Sequence, residues 1–153
     1  YFPVYKSHTI DYDIVENFLT NLTISTTLID ENFIQAFSLR HEKIFKEKNV
    51  VLSAKSNKVS YFISMYSPDR VAMKLQSKDM WNIYLKVGDQ KITPYKFKRM
   101  RPKSKWSKFF PVINFWSKEF LLVFELPENN IDKRKLELFL AGPKGQMNFQ
   151  FKK

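Results

Sequence analysis

The 153-residue chain contains no cysteine and only three glycines. Without cysteine, disulfides, thiolate zinc sites and cysteine nucleophiles are excluded. The same absence suits a cytosolic protein and a disulfide-free exported one equally. Gly88, Gly142 and Gly145 are too few and too scattered for a phosphate-cradling loop, a GxSxG elbow or a GxGxxG fingerprint. Nucleotide-dependent and α/β-hydrolase chemistries therefore lack their local geometry. Long apolar runs are also missing. Stretches such as Phe120–Phe124 fall far short of the roughly 20 residues that span a bilayer. The two histidines, His8 and His41, form no HExxH pattern, so no metal site is predicted. Carboxylates such as Asp79, Asp89, Glu119 and Glu125 are present without a motif that joins them. The reading is of a non-catalytic chain with no cofactor.

Acid is lacking in one window. Residues 91–118 carry nine Lys and Arg and no Asp or Glu, whereas residues 1–90 carry eleven basic and ten acidic groups and residues 119–153 six and five. The net charge of +11 is thus local, not a general solubility device. The densest part is KFKRMRPKSKWSKFFP, Lys96 to Pro111. It predicts anion-binding residues Lys96, Lys98, Arg99, Arg101, Lys103, Lys105 and Lys108, with Trp106 and Phe109 as aromatic contacts. The alternative for the same stretch is a long solvated connection between strands, its Phe-Phe-Pro end turned inward to plug the protein.

What the chain has in quantity is apolar bulk: 44% hydrophobic residues, including fifteen Phe. That is enough to fold and bury one core, as a single domain over 1–153. Alternation of Leu22, Ile24, Thr26 and Leu28 predicts a strand over about 18–28, with 10–17 ambiguous. Asp30-Glu31-Asn32 offers a helix N-cap, and Phe33, Ile34, Phe37, Ile44 and Phe45 follow at helical spacing, predicting an amphipathic helix at about 30–47. Strands are predicted at 59–66, 71–75, 82–87, 91–97, 120–126, 136–140 and 147–151. The last two form a hairpin across Gly142-Pro143-Lys144-Gly145. The fold class is mainly β: an antiparallel, immunoglobulin-like β-sandwich of seven or eight strands, with the helix sealing a sheet end or opening. Trp81, Tyr84, Tyr95, Trp106 and Trp116 could line a groove, but core packing is expected, with Trp116 the best candidate for burial.

The segments TNLTISTTLIDENFIQAFSLRHEKIF (20–45), MWNIYLKVGDQKITP (80–94), FFPVINFWSKEFLLVFELP (109–127) and LELFLAGPKG (136–145) resemble an uncharacterised group of exported bacterial proteins, periplasmic or lipid-anchored, with an immunoglobulin-like core. The resemblance implies a location in the bacterial cell envelope, no catalytic motif and no functional residues to carry over. The chain opens on Tyr1 rather than Met, and an export signal or lipid-bearing cysteine upstream is the matching expectation. Together these predict an envelope-associated binding or structural module whose basic loop, 96–108, meets an acidic protein, anionic polymer or lipid surface. Two alternatives remain: a cytoplasmic nucleic-acid-binding protein using the same loop, and a small-ligand sandwich with a pocket beneath the helix, lined by Phe33 and Phe37.

Overall fold

The computed structural model describes residues 1–16, 19–128 and 131–151; Phe18, where the first long strand was expected to begin, lies outside them. The described residues form two antiparallel sheets. The five-stranded sheet has the order β1 (Thr9–Glu16), β2 (Leu19–Ile29), β3 (Lys58–Tyr66), β7 (Lys118–Glu125), β6 (Lys96–Arg99). The four-stranded sheet runs β5 (Gln90–Ile92), β4 (Asn82–Val87), β8 (Glu137–Gly142), β9 (Gly145–Gln150). Mainly β, two-sheeted and antiparallel, this is the architecture expected of a β-sandwich carrying a helix.

Period-two side chains build the core between the sheets. Leu22, Ile24 and Leu28 of β2, Tyr61 and Ile63 of β3, and Phe120, Leu122 and Phe124 of β7 meet Leu85, Leu138, Leu140, Met147 and Phe149 of the other sheet. At about 25 cal/mol per Å² of apolar surface removed from water, this layer supplies the main driving force for folding. Trp81 lies against the β8–β9 hairpin so closely that a Cβ on Gly142 would stand 2.6 Å from its ring carbons. Its indole N–H donates to the Ala72 carbonyl at 3.0 Å.

The opposite face of the five-stranded sheet is covered as well. Helix α2 (Glu31–Phe45) starts where Asp30 Oδ1 accepts the Phe33 N–H at 2.9 Å, as the sequence indicated. It does not plug an end or mouth. Phe33 and Phe37 instead join Tyr5 of a short helix α1 (Phe2–Ser7), Phe62 of β3, and Trp106, Phe109 and Phe110 in a second, aromatic core on the outer face. The sheet thus has a layer on each side, and β3 is buried almost continuously from Val59 to Met65.

Three elements differ from the sequence reading. Residues 70–73 form a 3₁₀ turn rather than a strand, because Asp69 Oδ1 accepts the Val71 N–H and caps it. The strand expected over 91–97 is two strands, β5 and β6, in different sheets. Pro94 lies between them, where its missing N–H cannot serve a ladder. The hairpin link is shorter than expected: Gly142 and Gly145 pair, leaving Pro143 and Lys144 as the turn.

Candidate anion-binding site

The basic stretch is not one solvated loop. Lys96 to Arg99 form β6, the edge strand beside β7, with Lys98 opposite Leu121 and Arg99 opposite Phe120. Lys96 and Lys98 are exposed, while Phe97 packs on the inner core and the Arg99 guanidinium lies 5.5 Å from the centre of the Phe120 ring. Lysines on an edge strand also discourage edge-to-edge pairing. After Arg101-Pro102 comes a single helical turn, α3 (Lys103–Trp106).

From there the stretch turns inward. Trp106, Phe109 and Phe110 sit at i, i+3 and i+4, and the Phe109 and Phe110 N–H groups both donate to the Trp106 carbonyl at 3.0 Å. That spacing puts three rings on one face. Phe110 stacks on Phe62 at 3.6 Å between centroids, and Phe109 lies 4.3 Å from Phe37. The expected roles of Trp106 and Phe109 as surface contacts are therefore corrected: both are buried, since exposing them would forfeit the outer core. The same rings fill the space beneath α2, which removes the pocket expected there. A groove of about 590 Å³ occurs elsewhere, lined by Leu75, Lys78, Trp81, Ile83, Tyr95 and Phe97 among others.

Lys103 is corrected too. Its ammonium donates to Glu119 Oε1 at 2.8 Å and to the Ser117 carbonyl. Glu119 is only 2% exposed and also accepts from the Ser64 and Ser117 hydroxyls. A carboxylate taken this far from water needs its cation, so Lys103 is committed to the fold. Lys105 lies 5.3 Å from the Trp106 ring centre, and exposed Lys108 lends its backbone carbonyl to the Arg40 Nε–H at 2.8 Å. The seven predicted cations are thus dispersed.

Two of them converge with residues distant in sequence. At the end of the sheet where Met65 pairs with Lys118, Arg99 stands opposite Phe120 and the Met100 N–H donates to the Glu119 carbonyl at 2.9 Å, so the strand end carrying Arg99 and Arg101 runs beside Lys118, while Arg70 and Lys74 flank the 3₁₀ turn that follows β3 and their charges act on Lys118. Burial lowers the Lys118 pKa, and the charges of Arg99, Lys74, Arg70 and Arg101 depress it further. The Arg99 pKa is likewise lowered by burial and then by Arg101, with Glu119 working against both. Among the described residues, none of these five cations forms an ion pair. Sequence reasoning missed Arg70, Lys74 and Lys118 as partners because β3, the 3₁₀ turn and β7 meet only in the fold. Lys118 did carry a signal, as the last cation of the acid-free window.

The same end carries exposed apolar residues. Asn114 Oδ1 accepts the N–H groups of Trp116 and Ser117, both at 2.9 Å, and Ser117 Oγ accepts the Asn114 N–H at 3.0 Å. This tight turn immediately precedes β7. Phe115 and Trp116 project from it, 83% and 66% exposed, their rings edge to face at 5.8 Å. Trp116, expected inside, is therefore outside; Trp81 and Trp106 fill the core positions. An Asn three residues before Ser117, suited to such turns, was the available signal.

Among the described residues no group of three or more His, Asp or Glu is placed to hold a metal, and no helix is long and apolar enough to cross a membrane. The chain matches no protein-family model, no curated protein and no solved structure.

Proposed function

We propose that the chain is a non-catalytic binding or structural module of the bacterial cell envelope, and that it meets an anionic partner through the cluster Arg70, Lys74, Arg99, Arg101 and Lys118. The observation that carries this reading is five cations at one sheet end, none of which forms an ion pair among the described residues. Such crowding disfavours the free protein and is relieved by an anion. The envelope location rests on the resemblance of the segments quoted above. The immunoglobulin-like reading of the framework is supported by strand order: β2-β3-β7-β6 opposite β5-β4-β8-β9 follows the A-B-E-D and C′-C-F-G arrangement. The nucleic-acid alternative loses the residues meant for base stacking, because Trp106 and Phe109 are buried.

Heparin titration at several salt concentrations tests the cluster. Arg70→Gln, Lys74→Gln, Arg99→Gln and Arg101→Gln combined should weaken binding roughly tenfold or more and flatten its salt dependence. Lys96→Gln, Lys98→Gln and Lys108→Gln combined should change it by no more than about threefold, since these cations are dispersed. Equal losses in the two sets would return the function to the linear stretch and sink the cluster.

A further inference from the structure

The aromatic pair and the cation cluster occupy the same end of the five-stranded sheet, and their combination is more specific than charge alone. Trp116 lies two residues from Lys118, and Val71, 46% exposed, stands between Arg70 and Lys74 in the 3₁₀ turn. Tyr66, at the end of β3, is also exposed. Single exposed apolar residues need no explanation. A Phe-Trp pair held outward by a hydrogen-bonded turn, beside five cations and an exposed valine, is an amphipathic surface. Indole rings and lysine or arginine side chains favour the headgroup boundary of a bilayer, where an apolar body and a polar tip are both accommodated.

We propose that this end of the protein docks on anionic lipid bilayers, with Phe115 and Trp116 entering the headgroup–acyl boundary and Arg70, Lys74, Arg99, Arg101 and Lys118 meeting lipid phosphates. The inference rests on the anion-binding reading above and names its surface. The acids nearby are accounted for. Asp69 pairs with Lys144 at 3.3 Å, and Glu119 is buried under Lys103. Asp11 and Asp13 line a polar groove on the outer face with Asn114 and Ser117, so the contact tilts away from β1 and toward β6 and the 3₁₀ turn. A single-stranded nucleic acid fits less well. Base stacking needs an open ring face beside a cationic track. Here the two rings stand edge to face at 5.8 Å, which interrupts a continuous stack, and the neighbouring exposed side chains include an aliphatic one, Val71.

The test uses the 153-residue chain with vesicles of phosphatidylcholine alone and of phosphatidylcholine mixed with phosphatidylglycerol, read by co-sedimentation and tryptophan emission. Trp81 and Trp106 are already 3% and 4% exposed, so any blue shift on binding reports Trp116. Binding only to the mixed vesicles, with a blue shift, is the expected result. Phe115→Ser with Trp116→Ser should weaken vesicle binding about tenfold or more and leave heparin binding unchanged. Each cation neutralised should cost about fivefold in vesicle binding. Phe115, Trp116, Arg70, Lys74 and Arg101 are exposed and Arg99 and Lys118 half-buried, and an unaltered melting temperature will show that the variants remain folded. Heparin binding without vesicle binding, or vesicle binding with no emission change and no dependence on Phe115 and Trp116, would overturn the lipid proposal and leave the anion-binding reading standing. Failure to bind either probe would overturn both. Tighter, Phe115- and Trp116-dependent binding to a single-stranded oligonucleotide would replace the bilayer with nucleic acid.

Discussion

The protein gathers cations at both ends of its five-stranded sheet, and the two gatherings differ in one respect. Where β2 runs into α2, Lys133 lies 2.9 Å from Glu31 and donates at 2.9 Å to the Lys55 carbonyl, while Arg134 Nε stands 3.8 Å from Asp30. Asp30 also meets His8 Nε2 at 2.8 Å and caps the helix. At the far end, none of Arg70, Lys74, Arg99, Arg101 and Lys118 forms an ion pair among the described residues. The first set is structural, and the second is the one we propose meets a partner. Density of positive charge along the chain does not separate them; the presence of matching carboxylates in space does. Lys103 sharpens the point, since it lies in the basic stretch yet belongs with the matched set.

Removing a matched cation should therefore cost stability, most where its acid is most buried. Lys103→Met leaves Glu119 in the outer face without its ammonium. Because the Lys103 side chain is 36% exposed, the cost is set below that of a fully buried pair, at about 2 kcal/mol in urea denaturation. Adding Glu119→Gln should recover part of it, and additive losses would show that the two do not act as a pair.

Next in size is Asp30→Ala, at about 1–2 kcal/mol, from the lost cap and the lost His8 contact. Burial works to raise the Asp30 pKa, but the hydrogen bonds from His8 and the Phe33 N–H and the charges of His8 and Arg134 outweigh it and hold the carboxyl below its ordinary value of 3.8. A lowered folded-state pKa contributes stability above pH 3.8 that is lost as pH falls through the folded value. Asp30→Asn should accordingly be less stable than the parent at pH 6, and the gap should narrow below about pH 4 in thermal melts. A gap independent of pH would show that the carboxylate charge is not what the site uses.

The smallest effect on folding is expected at the unmatched end. Arg70→Gln with Arg101→Gln should leave stability within about 0.5 kcal/mol, or raise it slightly by relieving repulsion. A loss beyond about 1 kcal/mol would move these cations into the structural set.

The core between the two sheets was legible in the sequence where β2, β8 and β9 alternate, because alternation is a local property. The capping Asp30 and the helical run behind it were legible for the same reason. The outer face was legible only in part: the inward turn of the Phe-Phe-Pro end of the basic stretch was one of its two readings, and Phe109 and Phe110 are buried. Its cover comes from α1, α2 and the segment around Trp106, three pieces far apart in the chain, and their joint burial has no local periodicity beyond the i, i+3, i+4 spacing of Trp106, Phe109 and Phe110. That spacing was masked by the lysines between and before those rings. Within the site, Arg99 and Arg101 stood out by their company in sequence. Arg70 and Lys74 did not, because 71–75 read as a strand and the 3₁₀ turn there meets the Lys118 end of β7 only once β3 and β7 are paired.

The contact between Gly142 and Trp81 gives the β8–β9 hairpin a mechanical line to the cation-bearing turn. Any side chain at position 142 must displace the indole, and the indole is tethered to Ala72, which lies between Arg70 and Lys74. A lesion that alters no charge and touches no partner could in this way detune the spacing of the cluster, so a glycine in a hairpin shares custody of a surface it never reaches.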